Sequence, residues 1–230
     1  MPDQTIVVVG ASRGIGAELV KLLAKDPNRQ ILALSRNKVK MDESFGALNN
    51  VKSHAFDLNS NVRQQAEQIF STVTKIDVLI NNAGLLKNKP FTELTHEDLS
   101  SCYQVNVIGV IETVQAAVSK MEVNGGHIVN ISSMGGFQGS VKFAGLSAYS
   151  TSKAAVCSFT ELFAEEYKES KIKTNCLCLG AAQTEMLEEA FPGYQAPVSA
   201  EKMAEFIADF SLNAQQWING KIIPVSLSTP

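Results

Sequence analysis

The chain has 230 residues, 45% of them hydrophobic and 19% charged, with a formal charge of −3 at neutral pH. That balance belongs to a folded protein large enough for one sizeable core, and it excludes a disordered chain. No long run of one charge sign occurs, which argues against nucleic acid or an anionic membrane surface as the main partner. No apolar stretch reaches the roughly 18 residues that cross a bilayer.

The opening MPDQTIVVVG lacks a basic region and a cleavage site and enters an apolar run at once. It reads as a first strand with no signal peptide, and a cytoplasmic location is expected. Short β-rich runs then recur at 5–9, 30–34, 51–56, 76–80, 126–131, 173–178 and 221–225. Amphipathic helical stretches lie between them at 14–25, 60–73, 95–120, 149–170 and 199–211, with only a faint helical pattern over 38–50. Strand runs without clean alternation are buried on both faces, as in a parallel sheet covered by helices. The alternation predicts one α/β domain over 1–230, Rossmann-like and doubly wound, with a parallel sheet of about seven strands and right-handed crossovers. In such sheets ligands bind beyond the carboxyl ends of the strands, and the unusual residues of this chain fall there.

The first of them is VVVGASRGIGAEL, which leaves the first strand and opens the first helix. Gly10, Gly14 and Gly16 allow a tight turn and close approach of backbone to a pyrophosphate, whose charge a helix N-terminus favours. Ser12, Arg13 and Ile15 share that loop, and the spacing is GxxxGxG.

A second signal is AYSTSKAAV, in which Tyr149 and Lys153 stand one helical turn apart among small residues. A free tyrosine, with a pKa of about 10, is a plausible acid for carbonyl reduction if something moves that value toward neutrality. A lysine four residues on lies on the same helix face and supplies positive charge that favours tyrosinate.

The cysteines Cys102, Cys157, Cys176 and Cys178 sit in apolar context and suit a reducing compartment. Cys176 and Cys178 would face one side of a strand, but nothing nearby in the sequence supplies two further ligands. The three histidines form no spaced pair. Buried free thiols and no metal are expected.

Taken in order, GxxxGxG, Asp57–Leu58, NNAG at Asn81–Gly84, YQVN ending at Asn106, NISS closing at Ser133 and YSTSK at Tyr149–Lys153 resemble the short-chain dehydrogenase/reductase family. The likeness runs along nearly the whole chain. It implies a nicotinamide-dependent oxidoreductase in which Tyr149 donates a proton and Lys153 also grips the nicotinamide ribose. It further implies that Ser133 hydrogen-bonds the substrate oxygen and that Asn106 holds a relay water. Ser132 competes with Ser133, but neighbouring side chains on a strand end point opposite ways, and Ser133 is the more loop-like.

By the same resemblance Asp57, with Leu58 beside it, meets the adenine, while Asn82, Ala83 and Gly84 pass the adenosine ribose. Gly180 and Thr184 seat the nicotinamide. The family usually has Pro-Gly where this chain has Leu179-Gly180, which removes a fixed φ. A carboxylate ending the second strand would hold ribose hydroxyls and repel a 2′-phosphate. Here Ser35 occupies that place, followed by Arg36, and with Arg13 nearby the geometry favours NADPH over NADH.

The segment 185–197 is the expected substrate lid. Met186, Leu187 and Phe191 there, with Leu85, Leu86, Phe137 and Phe143, are the expected pocket walls. No arginine cluster accompanies them, which favours a small neutral ketone or aldehyde as substrate. The spacing from Ser133 to Tyr149 is longer than the family's usual one, so the intervening chain should bulge beside the pocket. The resemblance also implies a homodimer or homotetramer formed through 95–120 and 149–170. Two alternatives stand beside carbonyl reduction: NAD-dependent oxidation of an alcohol, and a non-catalytic NADPH-binding sensor or scaffold.

Overall fold

The computed structural model describes residues 3–227; the outer ends of the 1–230 domain reading, residues 1–2 and 228–230, lie outside them. In chain order the elements begin β1 (Gln4–Val9), α1 (Gly14–Leu23), β2 (Arg29–Ser35), α2 (Lys38–Phe45), β3 (Val51–Ala55) and α3 (Val62–Phe70). They continue with β4 (Val78–Asn81), α4 (His96–Tyr103), α5 (Gly109–Met121), β5 (Gly126–Ser133), α6 (Ser147–Glu166) and β6 (Ile172–Leu179). The last are β7 (Ala182–Gln183), α7 (Glu185–Ala190), β8 (Val198–Ser199), α8 (Ala200–Asn213) and β9 (Ile222–Val225).

Seven strands form one parallel sheet in the order β3-β2-β1-β4-β5-β6-β9. Strand order reverses between β1 and β4, so a crevice opens where their carboxyl ends diverge. The first strand shows why the sheet is buried on both sides. Ile6 and Val8 face α1 and α8, packing with Leu19, Val20, Met203 and Ile207. Val7 and Val9 face the opposite layer, with Ile69 and Phe70 of α3 and Val114 and Met121 of α5. Both faces demand apolar residues, and the strand therefore reads as a continuous run. A third, smaller cluster of Met134, Val156, Cys157, Cys176 and Cys178 fills the space between α6 and β6.

Two expectations are corrected. The stretch 95–120 is two helices joined by a π-helical turn over Gln104–Ile108, not one. The extra residue of a π turn pushes side chains off the α-helical register, and here it buries Asn106 completely. The faint 38–50 helix ends at Phe45, because only Met41 and Phe45 find buried sites. The short parallel pair β7–β8, aligning Ala182 with Val198 and Gln183 with Ser199, was not expected and brackets 184–197 at its base. Among the described residues, no helix is long and apolar enough to cross a membrane.

Candidate active site

A cleft of about 720 Å³ opens at the switch point and runs from the turn after β1 to the segment after β7. Its floor begins with the glycine loop. Helix α1 starts with Arg13 as N-cap, with no side-chain cap and no acidic residue in its first turn. Its first backbone N–H groups are thus free to meet an anion. Ser12, Arg13, Gly14 and Ile15 line the cleft there.

The three glycines do different work. Gly10 has φ +87° and packs against Ala83, where a Cβ would come within 2.6 Å of the Ala83 Cα. A Cβ on Gly16 would lie 2.0 Å from the Gly10 carbonyl oxygen and 2.6 Å from Asn82 Nδ2. Gly16 therefore packs against the back of the loop and is not among the residues that line the cleft. Gly14, with φ +54°, faces Thr184 across the cleft. Asn82 Nδ2 donates to the Gly10 carbonyl at 3.1 Å and ties the β4 end to the loop.

At the end of β2 the Ser35 hydroxyl donates to Ser12 Oγ at 2.8 Å. Arg36 is exposed on the cleft rim and has no ion pair among the described residues. Arg13 differs from expectation: its guanidinium pairs with both carboxylate oxygens of Glu189 on α7. This ion pair raises the Arg13 pKa and lowers that of Glu189. The pair joins the glycine loop to α7, and one of the two expected phosphate-binding arginines is engaged. Asp57 and Leu58 line the adjoining wall with Asn59, whose backbone and side-chain N–H groups donate to Asp57 Oδ1 at 3.0 and 2.6 Å.

Beyond the glycine loop the cleft is lined by Ser133, Tyr149 and Lys153 with Gly84, Leu85 and Gly180. The two serines separate as alternation requires. Ser132 is buried and donates to the Lys153 backbone oxygen at 2.8 Å. Ser133 accepts from the Gly135 N–H and faces the Tyr149 phenol. Burial pushes the Tyr149 phenol up to about 12, and the Ser133 hydroxyl opposes that rise. Lys153 is 3% exposed and donates to the Ile131 carbonyl at 2.8 Å. Its Nζ stands 5.9 Å from the centre of the Tyr149 ring, and burial pulls its pKa down to about 8. The expected lowering of the tyrosine is thus not found: desolvation raises it, and Lys153 is not among the causes of its shift.

The Asn106 side chain is taken up by protein partners. Its Oδ1 accepts from Leu85 N at 2.7 Å, and its Nδ2 donates to the Leu85 carbonyl and to Ser152 Oγ, both at 2.9 Å. The side chain is a buried clamp between the 84–86 loop and α6. Leu179, where proline is usual in the family, closes β6 with Ser133 on one side and Val225 on the other. Strand pairing supplies the rigidity that proline would have given. Gly180 packs so closely on Ser226 that a Cβ would come within 2.7 Å of its Oγ.

The cleft also has apolar walls. Leu85, Leu86, Phe143, Met186, Leu187 and Phe191 line them as expected. Phe137 does not; it packs against the small cluster between α6 and β6. The long Ser133–Tyr149 connection contributes Val141 and Leu146 instead, and the lid contributes Tyr194, none of which the sequence singled out. Ser140 donates to the Met134 and Phe137 carbonyls, folding the connection back so that Val141 and Phe143 form an outer lip. Thr184 caps α7 by accepting from Leu187 N at 3.2 Å, which leaves its hydroxyl proton directed elsewhere.

A parallel sheet with this strand order, a glycine turn after β1 and a Ser-Tyr-Lys group on the cleft define a dehydrogenase of the doubly wound type. The short chain dehydrogenase family model matches residues 4–195, and the chain belongs to that family of oxidoreductases. The chain is 30% identical to the 3-oxoacyl-(acyl-carrier-protein) reductase FabG of Aquifex aeolicus, over 96% of this chain and 94% of that one. It is 34% identical to carbonyl reductase family member 4 of Danio rerio, over 78% and 76% of the respective chains. A short chain dehydrogenase from Escherichia coli complexed with NADPH superposes with a TM-score of 0.87 at 25% identity, covering 97% of both chains. One from Burkholderia cenocepacia in complex with NADP gives 0.86 at 26% identity, over 97% and 96%.

Proposed function

We propose that the protein is an NADPH-dependent reductase of a small neutral ketone or aldehyde, with Tyr149 as proton donor. The observation that carries this reading is geometric: the Tyr149 phenol lies on the cleft wall against Ser133 with Lys153 buried beside it. Two hydroxyl donors directed at one part of the cleft suit a carbonyl oxygen, and hence reduction. The names of the two reductase relatives accord with that direction.

The residues present fit NADPH. The uncapped start of α1 offers N–H groups to the pyrophosphate. The Ser12–Ser35 hydroxyl pair and the exposed Arg36 suit a 2′-phosphate at the end of β2, where no carboxylate stands to repel it. A phosphate dianion there competes with Glu189 for the Arg13 fork, so cofactor binding would loosen the pair between glycine loop and α7. Asp57 is available to the adenine, and Gly180 and Thr184 to the nicotinamide.

When bound, NADPH supplies the hydride that reaches the carbonyl carbon. The chain's own residues manage the oxygen. Ser133 donates a hydrogen bond to the carbonyl oxygen and fixes it beside the phenol. Tyr149 passes its proton to that oxygen as negative charge develops there. Lys153, with a pKa drawn down to about 8, readily gives up a proton and restores the phenol. Asn106 acts at one remove, holding Leu85 and Ser152 so that α6 keeps Tyr149 on the cleft.

Substrate class follows from the walls. They include Leu85, Leu86, Val141, Phe143, Leu187 and Phe191; of the two arginines on the cleft, Arg36 follows β2 and Arg13 is taken up by Glu189. A neutral carbonyl fits where a carboxylate or phosphate would find no partner. Exposed Leu99, Ile108 and Leu162 on the 96–121 region and α6 accord with a dimer or tetramer; a monomeric mass by light scattering would remove that part. The test of the main reading is loss of NADPH absorbance across a panel of ketones and aldehydes, repeated with NADH. Turnover with NADPH and weak use of NADH is expected; preference for NADH would overturn the cofactor assignment.

A further inference from the structure

Behind the turn that carries Tyr149 and Lys153 lies chemistry that the cleft does not use. Cys176 and Cys178 project from one face of β6, and α6 lays Cys157 across them. The Cys157 sulfur is 3.5 Å from that of Cys178 and 3.9 Å from that of Cys176. All three sulfurs lie within 4.8 Å of one another. All are buried, Cys176 and Cys178 completely. The Ser132 hydroxyl stands 3.4 Å from the Cys157 sulfur. Among the described residues this is the only group of three metal-ligating side chains that converges in this way. Sequence spacing gave a pair of thiols without further ligands; the packing of α6 supplies the third thiol, and the end of β5 supplies a hydroxyl.

Filling a core requires only volume, which alanine or valine would provide. Three convergent sulfurs match something more specific. A metal–sulfur bond of about 2.3 Å places sulfurs about 3.8 Å apart in a tetrahedral site and about 4.0 Å apart in a trigonal one. The distances from Cys157 lie on either side of the tetrahedral value. An oxygen donor on the same tetrahedral ion would lie about 3.6 Å from each sulfur, close to the Ser132–Cys157 separation. A disulfide would instead need two sulfurs to close to about 2.05 Å, and would also need an oxidant.

We propose that Cys157, Cys176 and Cys178 form a buried trithiolate site for a thiophilic divalent d10 cation of the zinc–cadmium class, with the Ser132 hydroxyl as fourth donor. Binding exchanges three S–H bonds for three metal–sulfur bonds and releases three protons to solvent. The complex M(SR)₃ carries one negative charge, and the Lys153 ammonium, one helical turn from Cys157, balances it. Ser132 donates to the Lys153 backbone oxygen at 2.8 Å and Cys157 does so at 3.4 Å, so the ion would staple α6 to β6 directly behind that lysine. The site stands independently of the reductase reading.

The test titrates the reduced, metal-free full chain with cadmium chloride as probe. A sulfur-to-cadmium charge-transfer band should grow to one equivalent, with about three protons released per ion in weak buffer. The midpoint of thermal unfolding should rise. Cys157→Ser and Cys178→Ala should each lose band and proton release, while Cys102→Ser keeps both. No band at one equivalent, a band that survives Cys157→Ser, or one lost in Cys102→Ser would overturn the proposal. Should the cluster variants fail to fold, cadmium NMR of the unaltered chain decides. A resonance in the range of three-sulfur coordination supports the site, and one in the nitrogen and oxygen range overturns it.

Discussion

Replacing Lys153 by methionine removes a charge that the fold holds at a cost. The lysine is 3% exposed, its folded pKa is about 8, and its ordinary value is 10.5. Its folded pKa is depressed, so between these values the unfolded chain binds more protons and stability rises with pH. At 1.36 kcal/mol per pKa unit, the wild-type chain should gain about 2.5 kcal/mol between pH 7 and pH 10 from this group alone. The substitution also strips the Ile131 carbonyl of its hydrogen bond, at a cost of about 1–3 kcal/mol, but that loss does not depend on pH. Tyr149 titrates in both proteins, and Lys153 is not among the causes of its shift, so its share cancels. Cys102 and Cys157 feel the lysine's charge, so urea unfolding of wild type and Lys153→Met at pH 7 and pH 10 reads the lysine together with that coupling. The stability of the variant relative to wild type should fall by about 2.5 kcal/mol on going to pH 10. A difference unchanged with pH would mean that the lysine is not a buried cation and would remove the basis for its role as proton source.

Three further outcomes follow. Gly16→Ala forces a Cβ to 2.0 Å from the Gly10 carbonyl; it should destabilise the fold by about 1–3 kcal/mol in urea, and a neutral result would refute the packing assigned to that glycine. His127 is buried between the Ser211 carbonyl and Asn175, and burial lowers its pKa to about 4 from 6.5. The unfolded chain protonates first on acidification, so stability should fall between those values, by up to about 3 kcal/mol; His127→Gln should show a flatter acid limb, and an unchanged one counts against it. Arg36→Asp should weaken NADPH far more than NADH in binding titrations, and equal losses would exclude a role for Arg36 at the 2′-phosphate.

Much of this site could be read from the sequence because its signals are local. The turn after β1, the close of β5 and the Tyr149–Lys153 turn each sit at the end of a strand or on one helix face, where spacing alone dictates geometry. Even the choice of Ser133 over Ser132 follows from strand alternation. The misses are long-range. The Arg13–Glu189 ion pair joins residues 176 positions apart, and no pattern at either end announces it. Cys157 meets Cys176 and Cys178 only through the rotation of α6 on β6. Phe137 left the cleft and Val141 entered it because Ser140 folds the connection back on itself. The partners of the Asn106 side chain were not legible because the π turn that buries it leaves no mark in hydrophobic periodicity. The Tyr149 shift went the other way because desolvation depends on how tightly the cleft closes, not on helical spacing.

The most direct measurement is Tyr149→Phe assayed with NADPH and the best carbonyl of the panel, with NADPH binding followed in parallel. Removing the phenolic proton should lower turnover by about 10²–10⁴-fold while NADPH affinity stays nearly intact. Turnover equal to wild type would contradict Tyr149 as the proton donor and, with it, the chemistry assigned to the cleft.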